Sequence, residues 1–228
     1  MSRKSKIETN RSSQNIQELE AIGEEIQLYL SVKDAAREKA LRLCREVIRY
    51  SANAIPGIHH QQKAQAEQLL NSASKSLNEM SHVLNGHDDL LYSRFVHDAQ
   101  KELAEGYITL ALINDEAIPE PKALGVNYPA YLNGLGEAVG ELRRYLLDSL
   151  RRDDLSRCEE LLTTMDNIHT MLMTMDFPEA ITYGLRRTSD AVRGILERTR
   201  GDLTMALRQK QFQTRLETLV KQADHEAN

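Results

Sequence analysis

Residues 129–152 read PAYLNGLGEAVGELRRYLLDSLRR, and the fold turns on how this stretch is read. Pro129 suits the first turn of a helix, where its missing N–H interrupts no intrahelical bond. The helix it opens runs to about Arg152. Glu137 and Glu141 stand four residues apart, so both carboxylates leave the same helix face. Gly134, Gly136, Ala138 and Gly140 surround them, and such small residues let another backbone or a ligand come close.

Moving toward the N-terminus, 114–128 holds Pro119, Pro121 and Gly125 and reads as a loop. Before it, a helix is expected from about Asp88 to Ile113. It carries Glu102 and Glu105, whose i, i+3 spacing again aligns two carboxylates, with Asp98 one turn earlier on the same side. That face also holds Leu91, Phe95 and Ile113, and acids on an otherwise apolar face are costly to bury unless something pairs with them. A helix from about His60 to Leu84 ends at Asn85-Gly86. The first helical stretch starts at Ile16, continues through Leu19, Ile22, Ile26 and Leu30, and resumes with Leu41, Cys44, Val47, Ile48 and Ile55. It is one very long helix or two joined near Ser31–Asp34, stopped by Pro56-Gly57. Toward the C-terminus, Asp154 or Ser156 is expected to cap a fifth helix reaching about Met175. Pro178 opens a sixth that reaches at least Arg208, with a polar tail after it.

Composition agrees with this reading. The chain has 228 residues, 41% hydrophobic and 28% charged, with 11 glycines, 5 prolines and no Trp. Few helix breakers and no convincing alternation indicate an all-α, single-domain bundle of about six long helices. The expected organisation is a disordered basic arm over 1–14, a helical domain over 15–210 and a polar tail over 211–228. The net charge of -5 argues against a purely electrostatic nucleic-acid glove but leaves room for a local basic stripe. Cys44 and Cys158 fit neither a metal spacing nor a disulfide framework, which points to a reduced, cytoplasmic protein without a membrane span.

Two helices that each present a carboxylate pair can build an all-oxygen site, the ligand set preferred by hard cations such as Mg²⁺. Glutamate pairs at helical spacing are also common on solvated faces, so spacing by itself leaves both readings open. The chain lacks the two Glu-x-x-His motifs of a di-iron bundle. Its histidines, including His59-His60 and His97, read as exposed or satisfied rather than as ligands. Arg42, Arg45 and Arg49 form a stripe that could contact phosphates, although taken alone it is better read as pairing with Glu38 and Glu46 on the same helix.

Tyr131-Leu132-x-Gly134 followed by Gly140-Glu141-Leu142-x-Arg144 resembles the signature of the translin superfamily, in the translin-associated factor X branch. Leu43-Cys44-Arg45-Glu46-Val47 resembles that family's first-helix segment. Tyr92-Ser93-Arg94-Phe95 with Glu102-x-x-Glu105 resembles its third helix. The likeness spans roughly Arg37 to Leu207. It implies a translin-like fold and a Mg²⁺-dependent endoribonuclease subunit acting on single-stranded RNA inside an octamer-like homo-oligomeric shell. Single-stranded DNA stays open as a ligand, and a non-catalytic nucleic-acid-binding assembly protein is the alternative. It further implies Glu105 and Glu141 as direct Mg²⁺ ligands, and Glu102 and Glu137 as catalytic carboxylates, with Glu137 standing where Asp is usual. Arg42, Arg45 and Arg49 become candidate RNA contacts on an inner wall.

Overall fold

A computed structural model describes residues 3–226, with side chains described over 15–223. The expected basic arm over 1–14 therefore falls, in its side chains, outside the described residues. Nine helices and no strands occur among the described residues: α1 (Arg3–His59), α2 (Lys63–Val83), α3 (Asp88–Leu91), α4 (Arg94–Ile113), α5 (Pro121–Leu124), α6 (Tyr128–Arg151), α7 (Cys158–Met173), α8 (Glu179–Thr182) and α9 (Leu185–Glu226). Six of them are long, and α3, α5 and α8 are single turns of four residues. The all-α bundle of about six long helices is thus what the chain forms.

α1 is one helix of 57 residues with no joint near Ser31–Asp34. It also passes through Pro56, against expectation. Proline there removes one intrahelical bond, in the last turn. The helix ends where Gln61 takes a left-handed conformation (φ 58°) and the Gln62 amide bonds back to the Gly57 carbonyl. Two further expected helices are interrupted. Ser93 is extended (φ -72°, ψ 158°), so the helix expected from Asp88 splits into α3 and α4. Tyr183 (φ 53°) and Gly184 (φ 91°) separate α8 from α9, so Pro178 opens only a short turn. Asp154 and Ser156 do not cap α7, whose N-cap is Arg157; Asp154 instead accepts bonds from the Ser156 amide and hydroxyl. α9 runs to Glu226, through the stretch expected as a polar tail.

The helices stack in order. α2 packs on α1, α1 on α4, α4 on α6, and α6 on α7 and α9. The core runs through all of them, with Leu43 and Val47 of α1, Leu70 and Leu77 of α2, Leu103 of α4 and Leu142 and Leu146 of α6 buried. The loop after α4 returns along that helix: Tyr131 Oη donates to the Pro119 carbonyl at 2.8 Å, and the Asn127 amide donates to Gln100 Oε1 at 3.2 Å. α6 therefore starts beside the N-terminal half of α4. Its first turn is capped by Asn127, whose side chain accepts from the Ala130 amide at 2.8 Å.

Candidate metal centre between α4 and α6

Gly134 sets how closely these two helices meet. A Cβ at that position would lie 2.7 Å from the Lys101 carbonyl oxygen and 3.0 Å from the Glu105 amide nitrogen, so only glycine fits. Gly136, one half-turn on, faces the other way: a Cβ there would meet Thr188 Cγ2 of α9 at 2.3 Å. The small residues of α6 thus seat it against two helices at once, and its acidic face falls beside that of α4.

Carboxylate oxygens of Glu102, Glu105 and Glu137 all lie within 4.8 Å of one another. Each of these residues is half-buried. Lys101 reaches into the group, with Nζ 2.5 Å from Glu137 and 3.1 Å from Glu102. Burial lowers the Lys101 pKa, but the two carboxylates more than offset that, and the ammonium stays above its ordinary value. Glu105 has no such partner. Its burial, reinforced by the Glu102, Glu137 and Glu141 charges, pushes its pKa up to about 8. The cluster is short of positive charge at Glu105.

Glu141, one turn further along α6, lies outside this 4.8 Å group but close enough for its charge to act on Glu105. Its Oε2 lies 2.5 Å from Nε2 of His59, at the end of α1, and 3.8 Å from Nη1 of Arg144. Asp98 pairs with Arg94 at 3.7 Å and stays out of the cluster. Beside the acids, a cleft of about 420 Å³ is lined by Glu105, Glu137, Gly136 and, from α9, Arg187, Thr188 and Val192.

Arg42, Arg45 and Arg49 are exposed on α1. Among the described residues none of them has a carboxylate within ion-pair distance, so pairing with Glu38 and Glu46 does not occupy them. Arg49 lies 5.0 Å over the Tyr50 ring. Sequence reasoning did not single out Lys101 for this site and set His59 aside. Tertiary packing brings His59 and Arg187 to the acids, whereas Lys101 precedes Glu102 on α4 and reaches across to Glu137. Cys44 and Cys158 are free and buried, and burial pushes the Cys44 thiol up to about 12. No helix among the described residues is long and apolar enough to cross a membrane.

No family model matches the chain. Uncharacterized protein MJ0175 of Methanocaldococcus jannaschii is 31% identical over 177 residues, 77% of this chain and 78% of that protein. The crystal structure of AfC3PO is 34% identical and superposes with a TM-score of 0.73 over 80% of this chain and 95% of its own. The AfC3PO–duplex RNA complex is 33% identical, with a TM-score of 0.70 and the same coverage. Apo-NeC3PO, at 16% identity and a TM-score of 0.71 over 82% of this chain and 96% of its own, shares the fold. With its helix order, its tight α4–α6 seam and these relatives taken together, the chain belongs to the translin superfamily of C3PO-type proteins.

Proposed function

We propose that this chain is the catalytic subunit of a Mg²⁺-dependent endoribonuclease of the translin-associated factor X type, acting on single-stranded RNA within a homo-oligomeric, octamer-like shell. The reading rests on one observation: three carboxylates from two helices converge within 4.8 Å, and Glu105 lacks a cation. The donor set is all oxygen and fits a hard divalent ion. Glu105 and Glu141 would hold it, with Glu141 fixed by His59 and within the electrostatic reach of Glu105, and Glu102 and Glu137 stand beside Glu105. Bound there, Mg²⁺ supplies an acidified water and a countercharge for a phosphate.

The chain's own residues supply the rest. Glu102 or Glu137 orients the attacking water and accepts its proton. Arg187 and Lys101, both at the cluster, offer positive charge to a phosphodiester lying in the cleft. Arg42, Arg45 and Arg49 hold the strand farther along α1. Buried, inert thiols suit the reducing cytoplasm.

Labelled single-stranded RNA incubated with the protein should be cut with Mg²⁺ and left whole with EDTA. Glu105→Ala and Glu141→Ala should each abolish cleavage while circular dichroism and particle mass stay unchanged. Full activity in both variants would reject the assignment. A duplex substrate belongs in the same assay, because AfC3PO has been solved with duplex RNA.

A second reading, a nucleic-acid-binding assembly protein without catalysis, draws on Lys101 and His59. These already serve Glu137, Glu102 and Glu141 as cationic or hydrogen-bonding partners. It expects RNA binding with no metal-dependent cleavage, and Glu105→Ala binding RNA as the parent does.

A further inference from the structure

Two helix ends extend past the packed body. On α1, every residue from 15 to 32 is exposed, including Ile16, Leu19, Ile26 and Leu30 at 53–68%. On α9, every described residue from 211 to 223 is exposed, including Phe212, Leu216 and Leu219 at 45–63%. Each set repeats at spacings of three and four residues, the seam of a two-helix coiled coil, with Gly23 and Gln209 also on the seams. The charges are opposite. Between 16 and 32 the α1 arm carries Glu18, Glu20, Glu24 and Glu25 and no basic residue, whereas between 208 and 223 the α9 arm carries Arg208, Lys210, Arg215 and Lys221 against one acid, Glu217.

The arms leave opposite ends of the body. The α1 arm begins at Lys33, which pairs with Asp89 in α3 at 2.6 Å. α9 starts near that same end, where Tyr183 Oη donates to the Tyr92 carbonyl at 2.8 Å. It then runs along α6, past the Arg143–Asp202 pair, to Lys210, which pairs with Asp153 beyond the end of α6. From Leu185 to Lys210 the helix climbs about 37 Å at ~1.5 Å per residue, so the two arms of one chain cannot meet.

We infer that the acidic arm of α1 pairs with the basic arm of α9 from a second copy of this chain, joining copies end to end. Stacked in line, the two helices run parallel, and each arm is about 25 Å long at ~1.5 Å per residue. In the register that aligns their seams, Leu19 faces Phe212, Gly23 faces Leu216 and Ile26 faces Leu219. Glu20 then lies beside Arg208, on the flank where charged pairs select coiled-coil partners. Two acidic arms, or two basic arms, would repel one another. A head-to-tail contact of this kind closes into a ring or continues as a filament, according to its rotation.

The test is disulfide trapping in the full-length chain, since both natural cysteines are buried. The double variant Ile26→Cys/Leu219→Cys should form chain-to-chain disulfides on mild oxidation, and either single variant should not. Changing Glu18, Glu20, Glu24 and Glu25 to Lys in that background should lower the yield at least tenfold. Adding Arg208→Glu, Arg215→Glu and Lys221→Glu should restore it. Absent trapping in the double variant, equal trapping in a single variant, or no rescue by the second charge reversal would each overturn the inference. Neither RNA nor metal enters the measurement, so the nuclease reading stands or falls separately.

Discussion

Glu105 is where the chemistry of this chain concentrates. Its carboxyl is half-buried beside three other acids and titrates near 8 in the folded chain, against an ordinary value of 4.5. Without a divalent cation the folded state keeps this proton to a higher pH than the unfolded state does. Its stabilising contribution is therefore complete below about 4.5 and disappears as the pH rises through about 8. Urea melts of metal-free protein should show stability falling across that window, and Glu105→Gln should flatten the fall. An unaltered pH profile in that variant would contradict the buried-acid account. His59 acts at the same scale. Its Nε2 fixes Glu141 from a side chain only 3% exposed. Groups that orient metal-site carboxylates commonly contribute about 10-fold or more to metal affinity. His59→Ala should therefore move the Mg²⁺ concentration for half-maximal cleavage up by about that factor, with less change in the plateau rate.

At the scale of helices, the decisive feature is the contact at Gly134. A methyl group there would collide with the backbone of α4 at 2.7 and 3.0 Å, and backbone atoms cannot swing aside. Gly134→Ala should cost about 1–3 kcal/mol, the usual range for overpacking, read as a shift in the urea midpoint at constant slope. Residual cleavage in the folded fraction should also fall, because separating α4 from α6 separates Glu105 from Glu137. A melt identical to the parent's would show that the seam tolerates a side chain. Helix ends and breaks obey local chemistry less uniformly. Asn127 caps α6 as its side chain allows, and Gly86 (φ 86°) turns the chain after α2. Ser93 breaks a helix with no Pro or Gly at the break itself to announce it, whereas Gly184 (φ 91°) stands at the break beside Tyr183. Each break lies where the Tyr183 hydroxyl ties α8 to the Tyr92 carbonyl before α4.

Over the whole molecule, a basic stripe lies on α1 rather than on the two helices that carry the acid cluster. Arg42, Arg45 and Arg49 line the exposed side of α1, whose last turn delivers His59 to Glu141. A strand held by all three should gain a salt-dependent component of binding. Replacing the three with Ala should reduce the slope of log affinity against log salt by about 2, at ~0.7 per single-strand phosphate contact. Filter binding at four salt concentrations would measure it, and an unchanged slope would remove α1 from the RNA path.

The fold class, the number of long helices and the two acid pairs were legible from residue order, because helical period and carboxylate spacing are local properties. The apolar period of 16–30 correctly marks a helix, but periodicity says nothing of what covers the stripe, and these residues lie outside the core of the chain. Likewise spacing put Glu141 on the same face as Glu137, while tertiary contact alone gives it His59 as a partner and leaves Glu102, Glu105 and Glu137 together. Arg187 comes to the site by packing from α9, and Lys101, next to Glu102 in the chain, reaches Glu137 only across the α4–α6 seam, long-range contacts that no window of sequence contains. What residue order determined by itself was which atoms could bind a cation. Which of them converge was decided by how closely a glycine lets two helices approach.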